Sequence, residues 1–512
     1  MASGVEPVGS AHASATDSSA AEPDGGEADR SAPLVDRPEQ LRREGAGGPA
    51  HLEVVDSSAS SGNPPGPEQP ARPGRPGAGS QPRAVPGEAS AGADSASRFQ
   101  PHVSPMVVDA ERAARAGLRR LDGRHLTLWT DLAPDPEVDI LTRVFDQAVP
   151  QWCEYFGIDA AAAADWHMTG FLMGERARFV RAGLLPEDLP PFKHGYSRNY
   201  ELWLYEQPST YYRRLLLLHE GTHGFMNTRL GGCGPPWYME GVAELLATHR
   251  WDGKRVVMNV VPASREESPM WGRIGWIQDK WAEGHAMSLE GVLAYDARAH
   301  LEPGPYAWCW ALAALLDHHP EYRDRFRRLP RLVLKPDFNR RFARMFADDW
   351  QQLVYNWQIL VANLEYGYDV QRMAVDFRPG QPLPGAGASV VVAADRGWQN
   401  SGWRLEAGQQ YLLQASGRYQ VDDEPKTWWC EPNGVTIRYY RGLPLGILLG
   451  AVQPDVDPDP TTALLRPITV GLGRTIEPER AGTLFLRIND SGGSLDDNAG
   501  TLTVGVTPQQ PP

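Results

Sequence analysis

The sequence predicts an α+β domain followed by an all-β sandwich, with a disordered, low-complexity tail in front. Three observations carry this. The first hundred residues contain 59 Ala, Ser, Gly and Pro, with no Trp, Tyr or Ile. A middle stretch has a few apolar strands and then mostly helical periodicity. From about residue 376 short β-rich runs alternate with Gly, Asn and Asp turns. The expected domains are therefore 1–100, 101–375 and 376–512.

The tail cannot bury enough apolar area to offset its ordering entropy. All 17 Trp and 17 Tyr lie after residue 100, so a packed core belongs to residues 101–512. Eight basic and fourteen acidic residues give the tail −6 of the net −14 charge. No positive stripe suited to a phosphate backbone is visible in either part, so nucleic acid is not an expected partner. Of the 50 basic residues 45 are Arg, dispersed along the chain, which fits coding bias rather than chemistry. No apolar stretch reaches the ~18–20 residues of a spanning helix. No export signal is recognisable in the first thirty residues, which leaves the cytoplasm as default. Cys153, Cys233, Cys309 and Cys430 show no C-x-x-C spacing; two long-range disulfides stay open.

Leu126 to Trp129 reads as a strand, and Pro136 to Phe156 has the i, i+3, i+4 apolar spacing of an amphipathic helix. Strands are expected at Trp166 to Leu172 and Tyr200 to Tyr205; the second is either an edge strand able to pair with an extended peptide or an internal one. Ser209 is a suitable N-cap for a helix running through Leu215 to Leu218.

That helix carries His219-Glu220-Gly-Thr-His223. Residues four apart project from one helix face one turn apart, which suits two ring nitrogens on one zinc ion, against an amphipathic helix whose histidines are only polar-face residues. Glu220 sits beside the metal without ligating it, as a general base for water. Gly221 and Gly224 each cost a helix interior roughly 1 kcal/mol relative to Ala, a penalty read here as a mark of function. After a Gly/Pro-rich turn, Trp237-Tyr-Met-Glu240-Gly-Val-Ala-Glu244 offers Glu240 as third ligand, with Glu244 one turn later within reach of a ligand histidine.

This pair of segments resembles the gluzincin zinc metallopeptidases, with their H-E-x-x-H followed by a W-x-x-E-G-x-A helix. The resemblance implies a zincin-like catalytic domain with zinc on His219, His223 and Glu240, Glu220 as base, and Glu244 orienting His219. The spacer of 16 residues is slightly shorter than in the best-known families, and Met239 replaces the Asn often found before the ligand glutamate. The partner of His223 is thus not assigned. The aminopeptidases' G-x-M-E-N motif is absent. An oxyanion donor is expected from a later helix. Tyr306, opening Tyr306 to Leu316, is the candidate, against a core or capping role; His300 is the reserve.

After the linker Pro379 to Gly387, strands are expected at Ser389 to Ala393, Gln410 to Gln414, Leu484 to Asn489 and Thr501 to Val506. The oxygen-rich turn from Asp490 to Asn498 suits either Ca²⁺ or a plain polar β-turn. Its spacing resembles the calcium loop of bacterial soluble galactose-binding lectins. That implies Ca²⁺ on Asp490, Ser494, Asp497, Asn498 and the Val421 carbonyl, Asp497 standing where the pattern has Asn. The lectins' sugar-contacting His and Gln have no counterpart between Trp429 and Leu445, although Trp428 and Trp429 are able to stack on a sugar ring.

Two functions are expected to compete. One is a zinc-dependent peptidase, an endopeptidase, acting on a peptide or protein with the sandwich binding glycan or substrate; a cell-surface location would suit that sandwich. The other is a non-enzymatic, zinc-stabilised carbohydrate-binding protein.

Overall fold

Five short apolar runs build the first sheet: β1 (Arg119–Asp122), β2 (Leu126–Thr130), β3 (Met168–Met173), β4 (Gly195–Arg198) and β5 (Glu201–Tyr205). The computed structural model describes residues 105–296, 303–456 and 459–509. The tail assigned to 1–100 and the reserve residue His300 lie outside the described residues. All described residues fall in one compact unit, Ala91–Pro512.

The sheet order is β1-β2-β3-β5-β4, with β2, β3 and β5 parallel and both outer strands antiparallel to their neighbours. The edge reading of Tyr200 to Tyr205 is therefore corrected. β5 is internal, and β4 lies outside it as the edge strand. Four of the five β5 residues are buried, as expected of a strand covered on both faces.

One sheet face is closed by Phe179, Leu184 and Ala113, with Phe171 and Trp203 stacked at 5.7 Å. The other face carries the helices. The predicted Pro136 to Phe156 helix divides into Pro136–Asp139 and Leu141–Phe156. The motif helix, Thr210–Phe225, begins at Ser209, whose hydroxyl accepts from the Tyr212 amide at 3.2 Å. Gly221 and Gly224 have a packing reason that corrects the functional one. A Cβ on Gly221 would stand 2.7 Å from both Phe145 and Trp152, and one on Gly224 would collide with Met168. Their missing side chains let the motif helix settle against the sheet and the Leu141–Phe156 helix.

A π-helical turn, Met226–Leu230, follows, and Gly231 (φ +86°) turns the chain into the second helix, Pro236–Ala247. This helix packs on the long helix Pro303–His318, with Gly241 against the Cys309 carbonyl. The four cysteines are buried free thiols, so neither long-range disulfide forms. Among the described residues no helix is long and apolar enough to cross a membrane.

From Gln381 onward strands predominate. One sheet orders Ile468–Thr469, Leu448–Pro454, Gly482–Ile488, Gln399–Leu405 and Gln381–Pro382; the other orders Gly473–Ile476, Tyr411–Ser416, Thr501–Pro508 and Ala388–Ala393. Alternation sets the inward face: Leu502, Val504 and Val506 are buried, alternating with exposed Thr501, Thr503 and Thr507 and half-buried Gly505. They share one core with Leu413 of their own sheet and with Leu448, Leu484 and Leu486 of the other. On its outer side the second region joins the helical core through Trp398, Ile447 and Phe485.

Candidate metal centre

The motif helix and the helix Pro236–Ala247 bring His219, His223 and Glu240 together, all buried. His219 Nε2 and His223 Nε2 lie 3.1 Å apart, and Glu240 Oε2 is 3.3 Å from the first and 3.4 Å from the second. Bonds of 2.0–2.2 Å at tetrahedral angles give ligand-to-ligand edges of about 3.3–3.6 Å, close to these separations, so the three atoms suit one face of a zinc tetrahedron. Glu240 Oε2 is buried with no hydrogen-bond partner of its own, an orphan that a cation would satisfy. Burial alone would raise the Glu240 carboxyl; His223 and His219 outweigh it and hold it well below the carboxylate range. Burial would likewise lower His223, and Glu240 outweighs that, raising it.

Glu220 is buried beside the edge strand β4. Gly195 makes room for it: a Cβ there would lie 2.7 Å from Glu220 Oε1. Burial pushes the Glu220 carboxyl above its ordinary value, while the two histidines and the Ser197 hydroxyl pull it back. A raised carboxylate is the more capable proton acceptor near neutral pH.

Glu244 Oε1 lies 3.4 Å from His219 Nδ1. The same carboxylate accepts from Arg273 at 3.2 and 3.3 Å and from Trp271 Nε1 at 3.3 Å. Neither partner was anticipated, because no local pattern ties residues 271–273 to residue 244. Tyr306 is half-buried, its ring 6.0 Å from that of His219 and 5.6 Å from the Arg273 guanidinium. Burial and the carboxylates of Glu240, Glu220 and Glu244 push its phenol well above the ordinary value, Arg273 opposing. It therefore stays a protonated donor.

The oxygen-rich turn is arranged differently from the implied ligand set. Asp490 is buried, accepting from the Ser491 amide at 2.7 Å and from Asn498 Nδ2 at 2.9 Å. Ser494 closes a backbone turn on Ser491 at 3.2 Å. Val421 lies buried in the strand Tyr419–Asp422, which bridges to Ala499 through Gln420. The structure gathers Asp497 with Asp422 and Asp423, two residues the motif spacing did not include. Oδ1 of Asp497 and Oδ1 of Asn498 are buried without partners. Burial, together with Asp422, Asp496 and Asp423, raises Asp497 to about 6, with Arg438 opposing. Burial likewise raises Asp490 to about 6. Oxygen donors in this condition fit a hard cation. Of the two tryptophans, Trp428 is half-buried and Trp429 exposed, each with an arginine over its ring.

No protein-family model matches the chain, and no curated protein does. Among solved structures the chain has slight likenesses. The first is to the EclA N-terminal domain, a PllA-like lectin, at 22% identity and TM-score 0.19, over 24% of this chain and 95% of that one. The second is to PliG of Aeromonas hydrophila, a periplasmic inhibitor of g-type lysozyme, at 12% identity and TM-score 0.16, over 26% of this chain and 97% of that one. The third is to IMPa of Pseudomonas aeruginosa, solved in complex with an O-glycopeptide, at 11% identity and TM-score 0.14, over 76% of this chain and 42% of that one. At these TM-scores the likenesses assign no activity to this chain.

Proposed function

We propose that the chain is a zinc-dependent peptidase, an endopeptidase, with a zincin-like catalytic region and an accessory β-sandwich. The observation that carries this is the ligand triangle of His219 Nε2, His223 Nε2 and Glu240 Oε2, with edges of 3.1, 3.3 and 3.4 Å, beside a buried carboxylate, Glu220. A purely structural site needs no such base and closes its fourth position with protein. Bound zinc supplies Lewis acidity toward water and the scissile carbonyl. Glu220 takes the proton from the attacking water and returns it to the leaving amine. Tyr306 donates its phenol to the carbonyl oxygen as charge develops there. The outer edge of β4 offers backbone groups to an extended peptide. Cleavage of a peptide library by the full chain tests this: Glu220→Gln keeps the metal and loses cleavage. Retained cleavage in that variant would sink the mechanism. Full zinc occupancy with no peptide cleaved by the wild type would favour the non-enzymatic carbohydrate binder.

For the sandwich we propose Ca²⁺ bound by Asp497, Asn498, Asp422 and Asp423, next to a glycan-binding face that includes Trp429. The unpartnered oxygens of Asp497 and Asn498 favour it. Calcium should raise the thermal midpoint of the wild type but not of Asp497→Asn. A midpoint indifferent to calcium would overturn it.

A further inference from the structure

The oxygen-rich turn of the sandwich is not closed by the sandwich alone. Its first residues rest on the segment that follows the helix Trp350–Asn363. One oxygen of Glu365, Oε1, accepts from the Ser491 hydroxyl at 2.6 Å, the Gly492 amide at 2.9 Å and the Tyr440 hydroxyl at 3.0 Å. The Gly492 carbonyl accepts in return from the Asp369 amide at 2.9 Å. The approach is so close that a Cβ on Gly493 would collide with the Tyr366 carbonyl. A carboxylate taking three donors, one of them a backbone amide, holds that stretch of chain more firmly than a neutral acceptor would.

From there a relay of hydrogen bonds runs to the far end of the turn. The Ser491 amide donates to Asp490 Oδ1 at 2.7 Å, and Asp490 Oδ2 accepts from Asn498 Nδ2 at 2.9 Å. The same Asn498 nitrogen gives its other hydrogen to the Ala394 carbonyl at 3.2 Å. With both N–H groups spent, the orientation of the amide is set, and Oδ1 is the end left over. That oxygen is buried without a hydrogen-bond partner, as is Oδ1 of the preceding residue, Asp497, which gathers with Asp422 and Asp423. Acceptors held bare in this way suit a hard cation.

We propose that Glu365, a residue outside the sandwich, is the positioning residue of the calcium turn, acting through Ser491, Asp490 and Asn498; this rests on the calcium reading above. The cation site is then built by both regions of the chain. Calcium, by fixing the turn, also fastens the sandwich to the segment 365–369.

The test is the calcium dissociation constant of the full chain, measured by titration calorimetry with zinc supplied throughout. The thermal midpoint of each protein is recorded with and without calcium. Glu365→Ala should weaken calcium about tenfold and lower the midpoint more in calcium than without it, whereas a merely structural contact would lower both equally. Glu365→Gln, which keeps one accepting oxygen, should recover part of the affinity. Ser491→Ala, which removes one of the three donors and leaves the backbone intact, should weaken calcium by a smaller factor, and it carries the test if Glu365→Ala does not fold. Wild-type calcium affinity in each variant that folds, or equal midpoint losses with and without calcium, overturns the assignment. A wild type that binds no calcium instead defeats the calcium reading itself, so the two failures are distinguishable.

Discussion

Glu244 faces His219 with Oε1 3.4 Å from Nδ1, while Arg273 donates to both oxygens of the same carboxylate and Trp271 to Oε2. Arg273 is itself nearly buried, so it supplies charge where little water can.

Removing that support should therefore reach the metal. Arg273→Leu leaves Glu244 buried without its countercharge, and zinc affinity should fall by about 10- to 100-fold. Glu244→Gln should fall in the same range. The double variant should lose less than the sum of the two, because both act through one carboxylate. Chelator competition on the four proteins checks this.

Gly195 gives a prediction about the base alone. Gly195→Ala places a Cβ 2.7 Å from Glu220 Oε1 and 2.9 Å from its Cγ, which forces the carboxylate to move. Zinc content should remain at wild type, and peptide cleavage should drop by on the order of 100-fold, the cost of about 1 Å of misplacement. Loss of metal in this variant would contradict the separation of base from ligands.

Stability should respond at Gly241. A Cβ there would stand 2.6 Å from the Cys309 carbonyl oxygen and 3.2 Å from the Ala313 Cβ, prising the helices Pro236–Ala247 and Pro303–His318 apart. Gly241→Ala should destabilise by about 1–3 kcal/mol, read as a lower urea midpoint of chelator-treated protein.

Acid sensitivity follows from two histidines away from the centre. Burial holds His249, stacked on Tyr211 at 4.5 Å, and His319, stacked on Tyr322 at 3.9 Å, down at about 4 each. Unfolded, each takes up a proton near pH 6.5. Between those values the unfolded chain binds more protons, so the stability these groups contribute is complete above pH 6.5 and is lost as pH falls through about 4. Urea midpoints should decline over that window, and His319→Gln should flatten the decline.

Local patterning made the elements legible. The Ser209 N-cap, the strand at Leu126 and the alternation of Thr501 to Val506 all lie in short windows that need no distant partner. The pair of segments that brings His219, His223 and Glu240 together was legible for the same reason, since two helices with fixed spacing carry it. Strand order was not, because residues 200–205 look alike whether a neighbour such as β4 covers them or not. The supporting residues were also out of reach. Arg273 meets Glu244 across 29 positions and Gly195 meets Glu220 across 25, through tertiary packing. Asp422 and Asp423 join Asp497 across more than seventy. Gly221 and Gly224 were legible as costly, but the cause, close approach to Trp152 and Met168, needed the fold.

Metal analysis of the purified full chain tests the central claim most directly. The wild type and Glu220→Gln should each hold about one zinc per chain, and His223→Ala and Glu240→Ala should hold little. A wild type without zinc, or ligand variants that retain it in full, would contradict the account.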